Sequence, residues 1–209
     1  AIHESVVKQE SNVSVLTGKR VPPGDDVELK DQLYHVKCEA LCSATALNDD
    51  KTLRAVAAAL EVAGRIQFVG SGNAFTIARD AAFRMMSSGK AVIAEGDAQV
   101  QQSSVATLGK GDCLFIISCL GQSGHLVQLA KTAAKNGAVV ITLTNQVANP
   151  VAALADLRLY SVSVGSDSTI PDVTAATSQQ HVIDLVYFPM AQHSGAALPA
   201  ASRELSKAR

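Results

Sequence analysis

With 209 residues the chain is long enough for one domain with a substantial core and too short for two comfortable ones. Its 47% hydrophobic and 18% charged residues describe a globular protein, and no stretch approaches the roughly 18 uninterrupted apolar residues of a membrane span. A formal charge of -1 excludes the basic surplus of a module that grips nucleic acid through many phosphates, so any DNA contact is expected to lie elsewhere.

Residues 1–28 carry Lys19-Arg20 and Pro22-Pro23-Gly24-Asp25-Asp26, a composition of turns and linker, with one short strand expected at Val13–Leu16. Ala1–Glu10 has polar residues throughout and no apolar core of a signal peptide, and a first residue other than methionine is expected of a piece of something longer. From Leu29 the apolar positions 33, 36, 40, 44 and 47 recur at helical spacing and predict a helix to Leu47, ended by Asn48-Asp49-Asp50. A second helix is expected over Leu53–Ala63, with Leu53, Val56, Ala57 and Leu60 on one face and Gly64 as its stop.

The pattern then alternates: strand 65–70, helix 73–88, strand 91–94, helix 99–108, strand 112–118, helix 122–136, strand 138–144, a short helix 151–154 and strand 157–162. A last helix is expected over Val173–Met190, apolar enough on several sides to pack on the sheet and on a partner subunit, with an alanine-rich flexible tail over 191–209. Five strands separated by helical crossovers make an α/β fold: a doubly wound, five-stranded parallel sheet of order 2-1-3-4-5, covered on both faces as three layers. In such sheets the ligand crevice lies at the carboxyl ends of strands 1 and 3, where the winding reverses.

Two turns fall at that place. Gly70-Ser71-Gly72-Asn73 follows the first strand and Ser118-Cys119-Leu120-Gly121-Gln122-Ser123 the third, and each opens a helix. Amides at a helix start lack intrahelical partners and carry the positive end of the helix dipole, so two such turns side by side form an anion site. The candidate ligand-binding residues are Gly70, Ser71, Gly72, Asn73, Ser118, Gly121, Gln122 and Ser123, with His125 in the first turn of the following helix and His181 in the last helix. Ser123 can also serve as an N-cap in the empty site. Asp80 and Asp97 are expected to cap or pair near the rim.

His35, Cys38 and Cys42 share a helix face, but no fourth ligand is spaced to complete a tetrahedral site, so no metal is expected, nor any cofactor. The four cysteines show no disulfide spacing, which predicts reduced thiols and a cytoplasmic location.

Over residues 30–190 these features resemble the sugar isomerase (SIS) domain, and within it the effector-binding half of RpiR-type transcription regulators. The resemblance is carried by Gly70-Ser71-Gly72 with Asp80 downstream, Gly89, Asp97, Gly111-Asp112 and Ile117-Ser118 with Gly121 and Ser123. It continues through Gly137-Ala138, Asn149-Pro150-Val151 before Ala155-Asp156, and Val182-Ile183-Asp184. It implies a sensor of a phosphorylated sugar joined behind an N-terminal helix-turn-helix domain absent from this chain, with residues 1–28 as linker and 29–190 as the SIS domain. It also implies a homodimer or homotetramer that places DNA-reading heads on a palindrome.

The chain departs from the family pattern at several positions. Leu120 stands where the turn usually has a second serine, Ser123 where it has threonine, Ala74 where the first turn has serine, Gln99 where histidine is common and Ala176 where arginine is common. The resemblance also leaves an aldose–ketose isomerase as an alternative, with Glu95 or His181 as base, disfavoured because neither pocket turn holds a glutamate and His125 takes a position often held by one. A purely structural dimerisation module is a third reading.

Overall fold

The first two helices meet at Asn48, a buried residue that ties them to the far edge of the sheet. Its Nδ2 donates to Ala44 O and to Tyr160 O, both at 2.7 Å, while its Oδ1 accepts from Tyr160 N at 2.9 Å. The computed structural model describes residues 29–164 and 170–193; the expected strand at Val13–Leu16, the linker 1–28 and residues 194–209 of the expected tail lie outside the described residues.

In chain order the elements are α1 (Leu29–Leu47), α2 (Asp50–Val62), β1 (Ile66–Gly70), α3 (Asn73–Ser87), β2 (Val92–Ala94), α4 (Ala98–Val105) and β3 (Cys113–Ser118). They continue with α5 (Gly124–Lys135), β4 (Val139–Thr144), a 3-10 turn (Ala152–Leu154), β5 (Leu157–Tyr160) and α6 (Ile170–His193). The five strands form one sheet in the order β2-β1-β3-β4-β5, every ladder parallel, which is the expected topology.

Alternation along each strand divides the core in two, because successive side chains leave a strand on opposite faces. Ile66, Phe68, Phe115, Ile117, Ile141 and Leu143 face α2, α3 and α6. Val69, Leu114, Ile116 and Val140 face α4 and α5. At the centre Phe68 and Phe115 stack with ring centroids 5.0 Å apart. The thiol of Cys113, on the same strand, is pushed up to about 11 by burial and then by the charges of Asp112 and Asp156, so at neutral pH it is a small hydrophobe and no nucleophile.

Element ends differ from the periodicity where a cap decides them. α2 begins at Asp50 rather than Leu53 because Asp49 accepts from Thr52 N at 2.7 Å, a bond that also holds the Asp49 carboxyl below its ordinary range. α5 begins at Gly124 rather than 122 because Ser123 is its N-cap. α6 runs from Ile170 to His193, past Pro189, so residues 191–193 of the expected tail are helical. β5 ends at Tyr160 because the amides of Val162 and Val164 turn from the sheet to α6, donating to Ser178 Oγ at 2.8 Å and Thr174 Oγ1 at 2.9 Å.

The amino end of the sheet is closed by an ion pair. Arg65 Nη2 lies 2.6 Å from Asp112 Oδ2, which also accepts from Gly109 N at 3.0 Å. The guanidinium bond is the chief reason the Asp112 carboxyl titrates below its ordinary range. Asp112→Ala is expected to cost about 2 kcal/mol in urea unfolding at pH 7, since it leaves a charge-assisted donor and a part-buried amide without their acceptor. Because the folded-state pKa is the lower one, this contribution is complete above about pH 4 and is lost as pH falls through the depressed value, so the stabilities of wild type and variant converge in acid.

Candidate functional site

The register between β1 and β3 pairs Gly70 with Ile117, so both chains leave the sheet at the same level and one strand spacing, about 4.8 Å, apart. The two glycine- and hydroxyl-bearing turns are thereby neighbours at the carboxyl edge, at the point where the winding reverses.

In the first turn, Gly70 is required by contact: a Cβ there would lie 3.0 Å from Ala74 C, Ala74 O and Ile117 O, so the strand end, α3 and β3 could not meet as they do. Gly72 is required by conformation, with φ 58 and ψ -133 as the N-cap of α3. A glycine cap has no side chain to satisfy the helix start. Among the described residues the amides of Asn73 and Ala74 donate to no other group, and Ser71, Gly72 and Asn73 are exposed.

The second turn is held from three sides. Ser118 Oγ accepts from Gly121 N at 3.1 Å, Gly121 O accepts from Val151 N at 3.2 Å, and Cys119 O accepts from Asn145 N at 2.9 Å. Gly121, at φ 64, lies against Asn149, and a Cβ there would come within 2.0 Å of Asn149 Oδ1. Asn149 cannot easily yield: its Nδ2 donates to Thr144 Oγ1 at 3.1 Å and Gln146 O at 2.8 Å, and its Oδ1 accepts from Ala152 N at 2.8 Å.

Beyond this fixed base the chain enters α5 with the amides of Gln122, Ser123, Gly124 and His125 donating to no other group among the described residues. The only side-chain cap bond there is a long one, 3.5 Å from Leu126 N to Ser123 Oγ. Two rows of unsatisfied donors thus border one crevice. Neither turn contains Lys or Arg, so the positive potential comes from peptide dipoles. Leu120, in the second turn, is 48% exposed.

Of the sequence-predicted residues, the structure gathers Gly70, Ser71, Gly72, Asn73, Ser118, Gly121, Gln122, Ser123 and His125 at this edge. His181 is elsewhere: its Nε2 lies 2.7 Å from Thr45 Oγ1 on α1, and it borders a cleft of about 470 Å³ between α2 and α6, lined also by Leu53, Arg54, Asp184 and Phe188. Thr45 Oγ1 spends its proton on Leu41 O, so it accepts from the ring. Asp97 caps α4, accepting from Gln99 N and Val100 N at 2.9 Å each, and Asp80 pairs with Arg84 at 2.9 Å.

Sequence reasoning missed the second tier: Asn145 and Asn149 beneath the turn, Gln179 of α6, whose Nε2 donates to Cys119 Sγ at 3.4 Å, and Gln101 of α4, 2.8 Å from His125. Gln101 and Gln179 did leave a trace, as amides on helix positions that otherwise face the core.

Comparison with known proteins places these observations in a wider set. The model of the SIS domain family matches residues 59–186. The Vibrio vulnificus NanR protein complexed with ManNAc-6P superposes with a TM-score of 0.80 at 19% identity, covering 88% of this chain and 71% of that one. The sugar isomerase domain of an RpiR transcription factor from Sphaerobacter thermophilus gives 0.76 at 21% identity, covering 87% and 99%. A phosphoheptose isomerase from Francisella tularensis gives 0.65 at 16% identity, covering 79% and 100%.

The two positive-φ glycines of the turns separate strain from contact. Gly72→Ala, which meets open space, is expected to cost about 1–3 kcal/mol for its backbone alone, because φ 58 with ψ -133 is a conformation that a residue with a Cβ rarely adopts. Gly121→Ala must also displace Asn149 from its three bonds and is expected to cost at least about 2 kcal/mol more, read from urea unfolding midpoints of the two variants.

Proposed function

The chain belongs to the SIS domain family, and from that premise we propose that it is a sensor. It binds a small phosphorylated metabolite, a sugar phosphate or similar anion, in the crevice beyond β1 and β3, and it controls DNA binding through a homodimer or homotetramer. The observation that carries this reading is the pair of helix starts with unpartnered amides, Asn73-Ala74 and Gln122–His125, on adjacent strands. Ser71, Ser118 and Ser123 supply hydroxyls around them; Ser118 Oγ accepts from Gly121 N and keeps its proton to donate, which is what an anionic oxygen needs.

Helix α3, which would receive the anion at its start, is clamped farther along to α6 by Arg84, bonded to both Asp80 and Asp184. α6 in turn packs along α1, the helix that follows residues 1–28 in the chain. Ligand contacts that differ between two arrangements of these helices would bias subunit geometry, and with it a DNA-reading domain attached in the same polypeptide.

The fold serves enzymes as well, as the phosphoheptose isomerase neighbour illustrates. Isomerisation needs a base at the reacting carbons, and the crevice turns contain no Glu or Asp. His125 has an amide partner, Gln101, which orients the ring but brings no charge to stabilise an imidazolium. Both observations favour binding without turnover.

A panel of hexose, pentose and amino-sugar phosphates in thermal unfolding tests the proposal. A cognate ligand at 100 times its dissociation constant should add about 2.7 kcal/mol, Ser123→Ala should reduce the shift, and Leu120→Ser, which adds a hydroxyl at the rim, should tighten binding about fivefold. A ligand-induced shift unchanged by Ser118→Ala and Ser123→Ala together would place the site elsewhere. Conversion of the ligand, followed by NMR, would make the protein an isomerase.

A further inference from the structure

Gln101 is 2% exposed, and its carboxamide joins two loops at the carboxyl edge of the sheet. Nε2 donates to Glu95 O at 2.7 Å, just beyond β2, while Oε1 lies 2.8 Å from His125 Nε2 in the first turn of α5. The direction of both bonds follows from what each atom can do. A backbone carbonyl only accepts, so the amide nitrogen faces Glu95 and the amide oxygen faces the ring. An amide oxygen only accepts, so the ring nitrogen opposite carries the hydrogen.

In neutral His125 the remaining nitrogen, Nδ1, is therefore a lone-pair acceptor, and among the described residues it has no hydrogen-bond partner. Nδ1 is bonded to Cγ and is the ring nitrogen nearer the backbone, so it stays close to the main chain of His125, whose own amide donates to no other group among the described residues. Gln101 is itself anchored: its backbone carbonyl accepts from Ser104 Oγ, and that hydroxyl accepts from buried Gln67 of β1 at 2.5 Å. The carboxamide cannot follow the ring if the ring flips.

We propose that Gln101 is a positioning residue that holds His125 as its Nε2–H tautomer and so sets Nδ1 as an acceptor among the donors of the anion site. The matching ligand carries a hydroxyl beside its anionic group, and that O–H donates to Nδ1. The second statement rests on the anion-site reading given above; the first does not.

The test uses the full chain with 15N-labelled histidine and long-range 1H–15N correlation, His125 being assigned by its loss in His125→Asn. The wild type is expected to show, for the neutral ring, the single pattern of an Nε2–H tautomer. Gln101→Met should give mixed tautomers, whereas Gln101→Glu, which keeps an acceptor oxygen, should preserve the Nε2–H pattern, both with cooperative melts.

Calorimetry with inorganic phosphate and glycerol 3-phosphate then reads the ligand arm: the wild-type preference for the hydroxylated ester should fall about fivefold in Gln101→Met, the worth of one hydrogen bond. An Nδ1–H pattern in the wild type, or an unaltered Nε2–H pattern in Gln101→Met, overturns the positioning role. Loss of the pattern in Gln101→Met and Gln101→Glu alike makes Gln101 a packing residue only and overturns it too. An intact Nε2–H pattern with neither phosphate bound overturns the anion-site reading while the tautomer assignment stands.

Discussion

The pairing of β1 with β3 is the constraint on which the rest depends. Gly70 opposite Ile117 brings two turns whose strands end 48 positions apart, at Gly70 and Ser118, to one level of one edge. A slip of one residue would reverse the side-chain faces of β1, exposing Phe68 to the α4–α5 layer and placing Gln67 among the packed aromatics. The apolar code of the strands therefore sets the register, and the register sets the crevice. The binding geometry is a consequence of core packing made far from it.

Close approach is the second requirement. Gly70 lets α3 and β3 crowd the strand end, and Gly121 lets Asn149 press on the second turn. Around that turn the carboxyl edge is unusually polar for buried protein: Asn145, Gln146, Asn149, Ser161, Ser163 and Gln179 are all buried. Asn145 is shared between Ser161 and Ser163, and the Asn149 side chain bonds Thr144 of β4, Gln146 just beyond it and Ala152 of the 3-10 segment. Asn145 and Asn149 have both amide atoms bonded, while the buried Gln146 Oε1 has no partner among the described residues; the bonds of Asn149 and Ser118 hold the turn in place beneath the outer amides.

That division of labour explains how two turns without Lys or Arg can still present donors to an anion. The inner polar groups of the turn bond one another and their neighbours Asn145 and Val151, and the outer ones, at the starts of α3 and α5, have unpaired donors among the described residues. Glycine as the cap of α3 and a long serine cap on α5 keep the resident competition weak.

The sequence alone determined the order of elements, the parallel topology and the nine residues of the two turns and His125 that meet at the edge, because strand periodicity, helix spacing and glycine turns are local properties. Its misjudged element ends at Leu53 and Gln122 have the same origin: a side-chain cap, Asp49 or Ser123, outweighs apolar spacing at a helix start. Only the tertiary structure decided that His181 packs against Thr45 of α1, that Gln101 holds His125, and that Asn149 braces Gly121. These are contacts between residues 24 to 136 positions apart, where hydrogen-bond partners are chosen by how helices settle on the sheet, and nothing in the spacing of either residue names the other.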